Sequence, residues 1–142
     1  MIVHAKEFIR PFINKIPKNF VITDEMYFCP TKEILIKEIY PKYKNWLVTL
    51  KLFRWSHKWD CENFSDSFKL FSSGYYEQNI ESNADSISIG TVFLKINHRS
   101  HAINIIYLND NNKLTMIFLE PQTGEIINLN QEQLDSIFFL YI

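Results

Sequence analysis

Trp59-Asp60-Cys61-Glu62-Asn63-Phe64 is the stretch on which the reading of this chain turns. Asp60 is a good helix N-cap, because its carboxylate can accept from the free N–H groups of a first turn. Phe64, Phe68 and Phe71 follow at helical spacing, so a helix is predicted from 60 to about 73, with Gly74 as its C-terminal stop. Cys61 then lies on the first turn, where the helix dipole and unpaired N–H groups stabilise a negative charge. Free cysteines are often just small core residues. Here the place on the first turn, off the apolar stripe, and the polar neighbours Asp60, Glu62 and Asn63 favour a functional thiol.

Upstream, Pro11 and Pro17 punctuate residues 1–22, an arm or a pair of short helical turns. Thr31 is placed to cap a helix over 32–39 that Pro41 ends. Residues 43–55 suggest a second helix, with Trp46, Leu50 and Phe53 at i, i+4, i+7. Downstream of a polar loop at 74–86 the period changes to two. Ile87, Ile89, Val92, Leu94 and Ile96 alternate around Gly90, which reads as a bulge. Strands are expected over 101–108 and 114–120, joined by the turn Asn109-Asp110-Asn111-Asn112. A short strand at 125–128, a turn capped by Asn130 and a last strand at 137–142 complete the pattern. Helices first and an antiparallel sheet after predict an α+β fold. The expected division is an arm or short helices over 1–22 and a single domain over 23–142.

The chain has 142 residues, 46% hydrophobic and 15% aromatic, with 15 basic and 16 acidic side chains and a formal net charge of −1. That length suits one domain burying roughly two-thirds of its unfolded surface. The balanced charge gives no support for nucleic acid or an anionic membrane as the main partner. Charge interrupts Met1-Ile2-Val3-His4-Ala5-Lys6-Glu7, so no signal peptide is read there. No apolar run approaches the roughly 20 residues of a spanning helix. A cytoplasmic protein is expected. Two cysteines, Cys29 and Cys61, are too few for a disulfide framework, and Cys61 is expected free.

Two later strand ends offer partners for the thiol. His101 begins a strand on which Ile103, Ile105 and Tyr107 share its face. Glu120 ends the apolar run Met116-Ile117-Phe118-Leu119. A register centred on the Asn109–Asn112 turn brings Glu120 opposite about residue 101, where its carboxylate could accept the Nδ1 proton of the imidazole. Gln122 is near enough to be a second orienting group or a substrate contact. Asn104 points to the opposite face and reads as structural. His98 falls in the hairpin loop, and His57 is too close to Cys61 along the chain to reach back. The Cys61 backbone N–H could serve an oxyanion. Its second donor would come from Trp55, Ser56, His57 or Trp59, since no glutamine lies just upstream.

Cys, His and acid in that order, on a helix and two later strands, match the chain order of a papain-like active site. Together with Phe118-Leu119-Glu120-Pro121-Gln122-Thr123-Gly124 and Tyr27-Phe28-Cys29-Pro30-Thr31, these motifs resemble the papain-like C-terminal domain of Marasmius-type mushroom agglutinins and similar stand-alone bacterial or phage domains. The resemblance covers about residues 24–128. It implies a papain-like cysteine peptidase with Cys61 as nucleophile, His101 as general acid/base and Glu120 as orienting carboxylate. It also implies calcium, although no acidic loop here offers the about six to eight oxygens that ion prefers. No cofactor or metal site is expected from the residues themselves. The expected function is thus a cysteine peptidase-like hydrolase acting on a protein or peptide substrate. The alternatives are a non-catalytic papain-like module that binds a protein partner, or an acyl-transferase or deamidase using the same three residues.

Overall fold

Helix α2 (Cys61–Asn79) organises one half of the molecule, in a computed structural model that describes residues 1–12 and 17–142. Asp60 caps it by accepting from the Glu62 N–H at 3.1 Å, and Asn63 Oδ1 accepts from the Asp60 N–H in return at 3.1 Å. This reciprocal pair satisfies donors that a helix start otherwise leaves open. The helix does not stop at Gly74. A glycine ends a helix when it turns left-handed, and Gly74 does not. Tyr76 beyond it is buried and donates its hydroxyl to Ala84 O at 2.8 Å, which draws the helix onward.

Pro41 does not end the preceding helix either. A π-helical turn, Ile34–Ile39, runs directly into α1 (Tyr40–Thr49), with the Tyr40 N–H donating to Leu35 O five residues back. Proline has no N–H to give, and the widened turn places it in the first turn of α1, where that donor is not needed. Thr31 Oγ1 accepts from the Ile34 N–H as the sequence suggested. The helix predicted over 43–55 closes early, at Thr49. Lys51 takes φ 59°, its N–H bonds to Val48 O, and the Leu52 N–H bonds to Leu47 O. That is a Schellman ending with lysine in the place glycine usually holds, secured by Leu47 and Leu52 in the same apolar cluster.

The larger sheet has six strands. In spatial order they are β2 (Asn19–Val21), β9 (Phe139–Tyr141), β5 (Ile89–Ile96), β6 (Arg99–Asp110), β7 (Lys113–Glu120) and β8 (Glu125–Ile127). All its pairings are antiparallel except β2 with β9. A smaller sheet joins β1 (Ile2–His4), β3 (Met26–Phe28) and β4 (Ser86–Ile87), the last pair in parallel. Asn97 and His98 turn β5 into β6, and Asn111 and Asn112 turn β6 into β7. All four have positive φ, the backbone of a two-residue type I′ hairpin. Gly90 makes no bulge. It pairs in register with Ile105, and a Cβ there would lie 2.5 Å from Tyr141 O, so the glycine lets the last strand come close. A short helix, α3 (Gln131–Asp135), carries the expected Asn130 cap.

The core lies on both sides of the large sheet. Leu35, Ile39, Tyr43, Leu47, Phe64 and Phe68 from the helices pack on the face bearing Ile106, Leu108 and Leu119. Ala5, Phe8, Phe12 and Tyr27 cover the other face, against Ile103, Ile105 and Tyr107. The N-terminal segment, expected as an arm or short helices, forms short 3-10 turns at Ala5–Phe8 and Arg10–Phe12, and Phe8 is fully buried and stacks on Tyr107 at 4.2 Å. Residues 13–16 of that segment lie outside the described residues.

Candidate functional site

The β5–β6 turn, the turn after β7 and the start of α2 meet at one end of the large sheet. Cys61, first residue of α2, is a partly exposed free thiol, and the fully buried Cys29 is also free. Burial pushes the Cys29 thiol up, which keeps it neutral and inert. Cys61 and His101 both line an open cleft of about 780 Å³, with Trp55, Arg99, Ser100 and Gln122 among the other walls.

His101 and Glu120 do meet, though not in the expected register. The β6–β7 ladder pairs Asp110 with Lys113, two residues off the expected register, and ends at Asn104 with Leu119, one step before Glu120. His101 itself pairs with Leu94 on β5. Glu120 thus lies just past the last paired step, and its side chain reaches across to the imidazole. They bond at 2.8 Å through Nε2 and Oε2. The nitrogen used is Nε2 and not the expected Nδ1, which leaves Nδ1 as the one Glu120 does not engage. Both side chains are partly buried, at 31% and 19% exposure. The other carboxylate oxygen of Glu120 accepts from the Gln122 N–H at 3.3 Å.

Gln122 lines the cleft as a side chain, but Trp59 does not. The Trp59 indole N–H is buried without a partner, and its ring packs edge-on against Phe64 at 6.0 Å. Trp59 thus supports the turn before α2 from behind, where backbone bonds to Ser56 at 2.9 and 3.1 Å close a small loop. Trp55 is the exposed ring on the cleft wall, at 53% exposure, with His57 edge-on to it at 5.2 Å. Arg99 was not singled out from the sequence. It sits two places before His101, and counting back by the strand period would have found it. Asn104 is fully buried and donates to Ser65 O at 2.9 Å and Gly90 O at 3.0 Å, tying α2 to β5 and β6.

Calcium, implied by the agglutinin resemblance, does not fit these residues. Asp60 is occupied in capping α2, and Asp66 accepts from Thr91 Oγ1 at 3.0 Å. Among the described residues no three His, Cys, Asp or Glu side chains converge in a set that would hold a metal ion. Nor is any helix among them long and apolar enough to cross a membrane.

Fold and site together define a mixed α/β domain in which a helix-borne thiol and a histidine held by a glutamate line one open cleft. The chain belongs to the ricin-type β-trefoil lectin C-terminal domain family, whose model matches residues 2–141. Two solved structures share its fold. One, described as a PSL1a–E64 complex, has 18% identity and a TM-score of 0.74 over 99% of this chain and 51% of its own. The other is the Polyporus squamosus lectin bound to the human-type influenza-binding epitope Neu5Acα2-6Galβ1-4GlcNAc. It has 21% identity and a TM-score of 0.69 over 98% of this chain and 47% of its own. The chain spans about half the length of each. A comparison with curated proteins finds no match.

These findings agree with the resemblance to the C-terminal domain of a mushroom lectin, and they correct what was attached to it. The expected hydrolase, a papain-like thiol protease with a catalytic triad, is overturned by a lectin family and lectin neighbours, none of which supports a peptidase. The physical reason is that the expectation rested on residue types in chain order. A thiol at a helix start and a histidine held by a carboxylate are equally the parts of a polar binding cleft.

Proposed function

We propose that the chain is a non-catalytic module of a lectin that binds a protein or peptide segment in the Cys61 cleft. The observation that carries this reading is that Cys61 and His101 line one open cleft of about 780 Å³ together with the exposed Trp55 and Arg99. Exposed tryptophan and arginine are the side chains most often found at the energetic centre of protein contacts. In this reading Trp55 supplies apolar area and Arg99 a forked donor. His101, held by Glu120, offers its free edge to a backbone group, and Cys61 is a wall residue whose thiol is not required for binding. Gln122 adds an amide at the rim, and Trp59 keeps the Cys61 turn in place.

The test is retention of the protein on an array of immobilised extended peptides. Retention by a subset, kept in Cys61→Ala and reduced about tenfold or more in Trp55→Ala and Arg99→Ala, is the expected result, a loss typical of interface anchors. Retention unaffected by Trp55→Ala and Arg99→Ala refutes it. Retention only on immobilised Neu5Acα2-6Galβ1-4GlcNAc, the epitope bound by the second neighbour, replaces the protein partner with a carbohydrate.

A further inference from the structure

β7 ends at Glu120, and the turn that follows brings Gln122 to the cleft and is held from outside the cleft by α1. The Tyr40 hydroxyl donates to Pro121 O at 3.2 Å, and Lys44 Nζ, one helical turn on, reaches Gln122 O at 3.4 Å. Within the turn the Gly124 N–H donates to Glu120 O at 2.7 Å. Gly124 has φ +81°, and a Cβ there would lie 2.3 Å from Tyr40 Cε1 and 2.5 Å from Cζ. The Tyr40 ring is therefore seated directly on the glycine, with no room between them for a methyl group. From its other side the ring meets Phe68 of α2 at 6.0 Å. Tyr40 thus touches the turn that follows Glu120 and the helix that bears Cys61. Its hydroxyl stays a neutral donor at all ordinary pH, because burial, and the nearby Tyr43 and Glu120, push its pKa up.

We propose that Tyr40 is a positioning residue that, seated on Gly124, sets the Glu120–His101 bond at the mouth of the Cys61 cleft. Inside the turn, Glu120 pairs with Glu125 and takes the Gly124 and Gln122 N–H bonds, while the Tyr40 and Lys44 bonds are what hold its outer side. Without the ring, the Pro121–Gly124 backbone is free to shift, and the Glu120 carboxylate shifts with it. The relevance of this device to binding rests on the function proposed above, but its own test does not use a partner.

The experiment is nuclear magnetic resonance of the full chain, reading the exchange of the His101 side-chain Nε2–H that Glu120 accepts, with folding checked in each variant by circular dichroism. Wild type is expected to show a slowly exchanging proton, lost or broadened in Glu120→Ala. Tyr40→Ala is expected to speed its exchange by about tenfold, and Tyr40→Phe by a few-fold, in line with losing one modest hydrogen bond. Gly124→Ala is expected to resemble Tyr40→Ala, and in a Tyr40→Ala background to add little beyond the strain of its positive φ. Lys44→Ala, which touches only a partly buried surface bond, provides a readout if the others fail to fold. A signal absent from wild type, or exchange unchanged in folded Tyr40→Ala, Gly124→Ala and Lys44→Ala, overturns the proposal. Loss of peptide retention with this proton unmoved would instead bear on the binding reading alone.

Discussion

Removing one hydroxyl from the helix core should change how the protein withstands alkali, in a direction that the structure dictates. Tyr43 is fully buried, and its hydroxyl lies 2.9 Å from both Phe64 O and Ser67 Oγ. Burial pushes its pKa up from 10.0 to about 12, opposed by the Ser67 hydrogen bond and helped by Glu120. In Tyr43→Phe the ring and its packing remain. Ser67 Oγ still donates to Phe64 O at 3.1 Å, so no carbonyl is stranded and the cost at neutral pH is about 1 kcal/mol. The sign of the pH effect follows from linkage. The unfolded tyrosine loses its proton first, so the stability that the protonated native form contributes is whole below pH 10 and drains as pH climbs toward 12. For a shift of this size the loss is about 0.8 kcal/mol near pH 10.5 and about 1.4 near pH 11. Phenylalanine has no such loss. Tyr107, also raised by burial, is common to both proteins and cancels in the comparison, as does Tyr40 apart from the share of its shift that Tyr43 supplies. Urea midpoints followed by tryptophan fluorescence at pH 7 and near pH 10.5 should therefore show the gap between variant and wild type nearly closing. A gap that stays constant or widens would mean that Tyr43 ionises as a solvated phenol, and the account of its burial would be wrong.

Three further outcomes follow from the geometry. Asp60→Ala removes the cap of α2 and should lower stability by about 1 kcal/mol, or the melting temperature by roughly 3 °C. The same variant should leave the β5–β6 amide resonances in place, and a collapse of those signals would count against a local effect. Gly90→Ala places a methyl 2.5 Å from Tyr141 O and 2.6 Å from Ile142 Cγ1, and should cost more than about 2 kcal/mol by urea unfolding. Asn104→Leu strands the Ser65 and Gly90 carbonyls and should cost about 2 to 4 kcal/mol, with an unchanged midpoint sinking the bridging role given to Asn104.

Local chemistry is legible in the sequence wherever it is decided locally. The Asp60 cap, the Thr31 and Asn130 caps and the Asn109–Asn112 turn follow from side chains that bond to a backbone within a few residues. The misreadings share one cause, which is tertiary contact overriding a local signal. Gly74 is passed because Tyr76 has a buried place further on. Pro41 is absorbed by a π-helical turn that no periodicity announces. The meeting of His101 and Glu120 follows from the hairpin. Its two-residue slip does not, because the register depends on which pair of the four turn residues takes positive φ. Arg99 and Tyr40 escape notice since neither stands in a motif. One is a strand neighbour of His101, and the other reaches the site from a helix some eighty residues away in sequence.

Strand β6 feeds both cores at once, giving Ile103, Ile105 and Tyr107 to one face and Ile106 and Leu108 to the other. A strand covered on both sides and paired along both edges opens only when the whole molecule opens, so its central amides should be the last to exchange with solvent. The outer end of that strand is different: Arg99 and Ser100 are exposed, and His101 is only partly covered. The cleft is thus built at the exposed hairpin end of a strand whose middle is covered on both faces. Its walls can adjust to an occupant over short times, while the frame behind them keeps its shape until global unfolding.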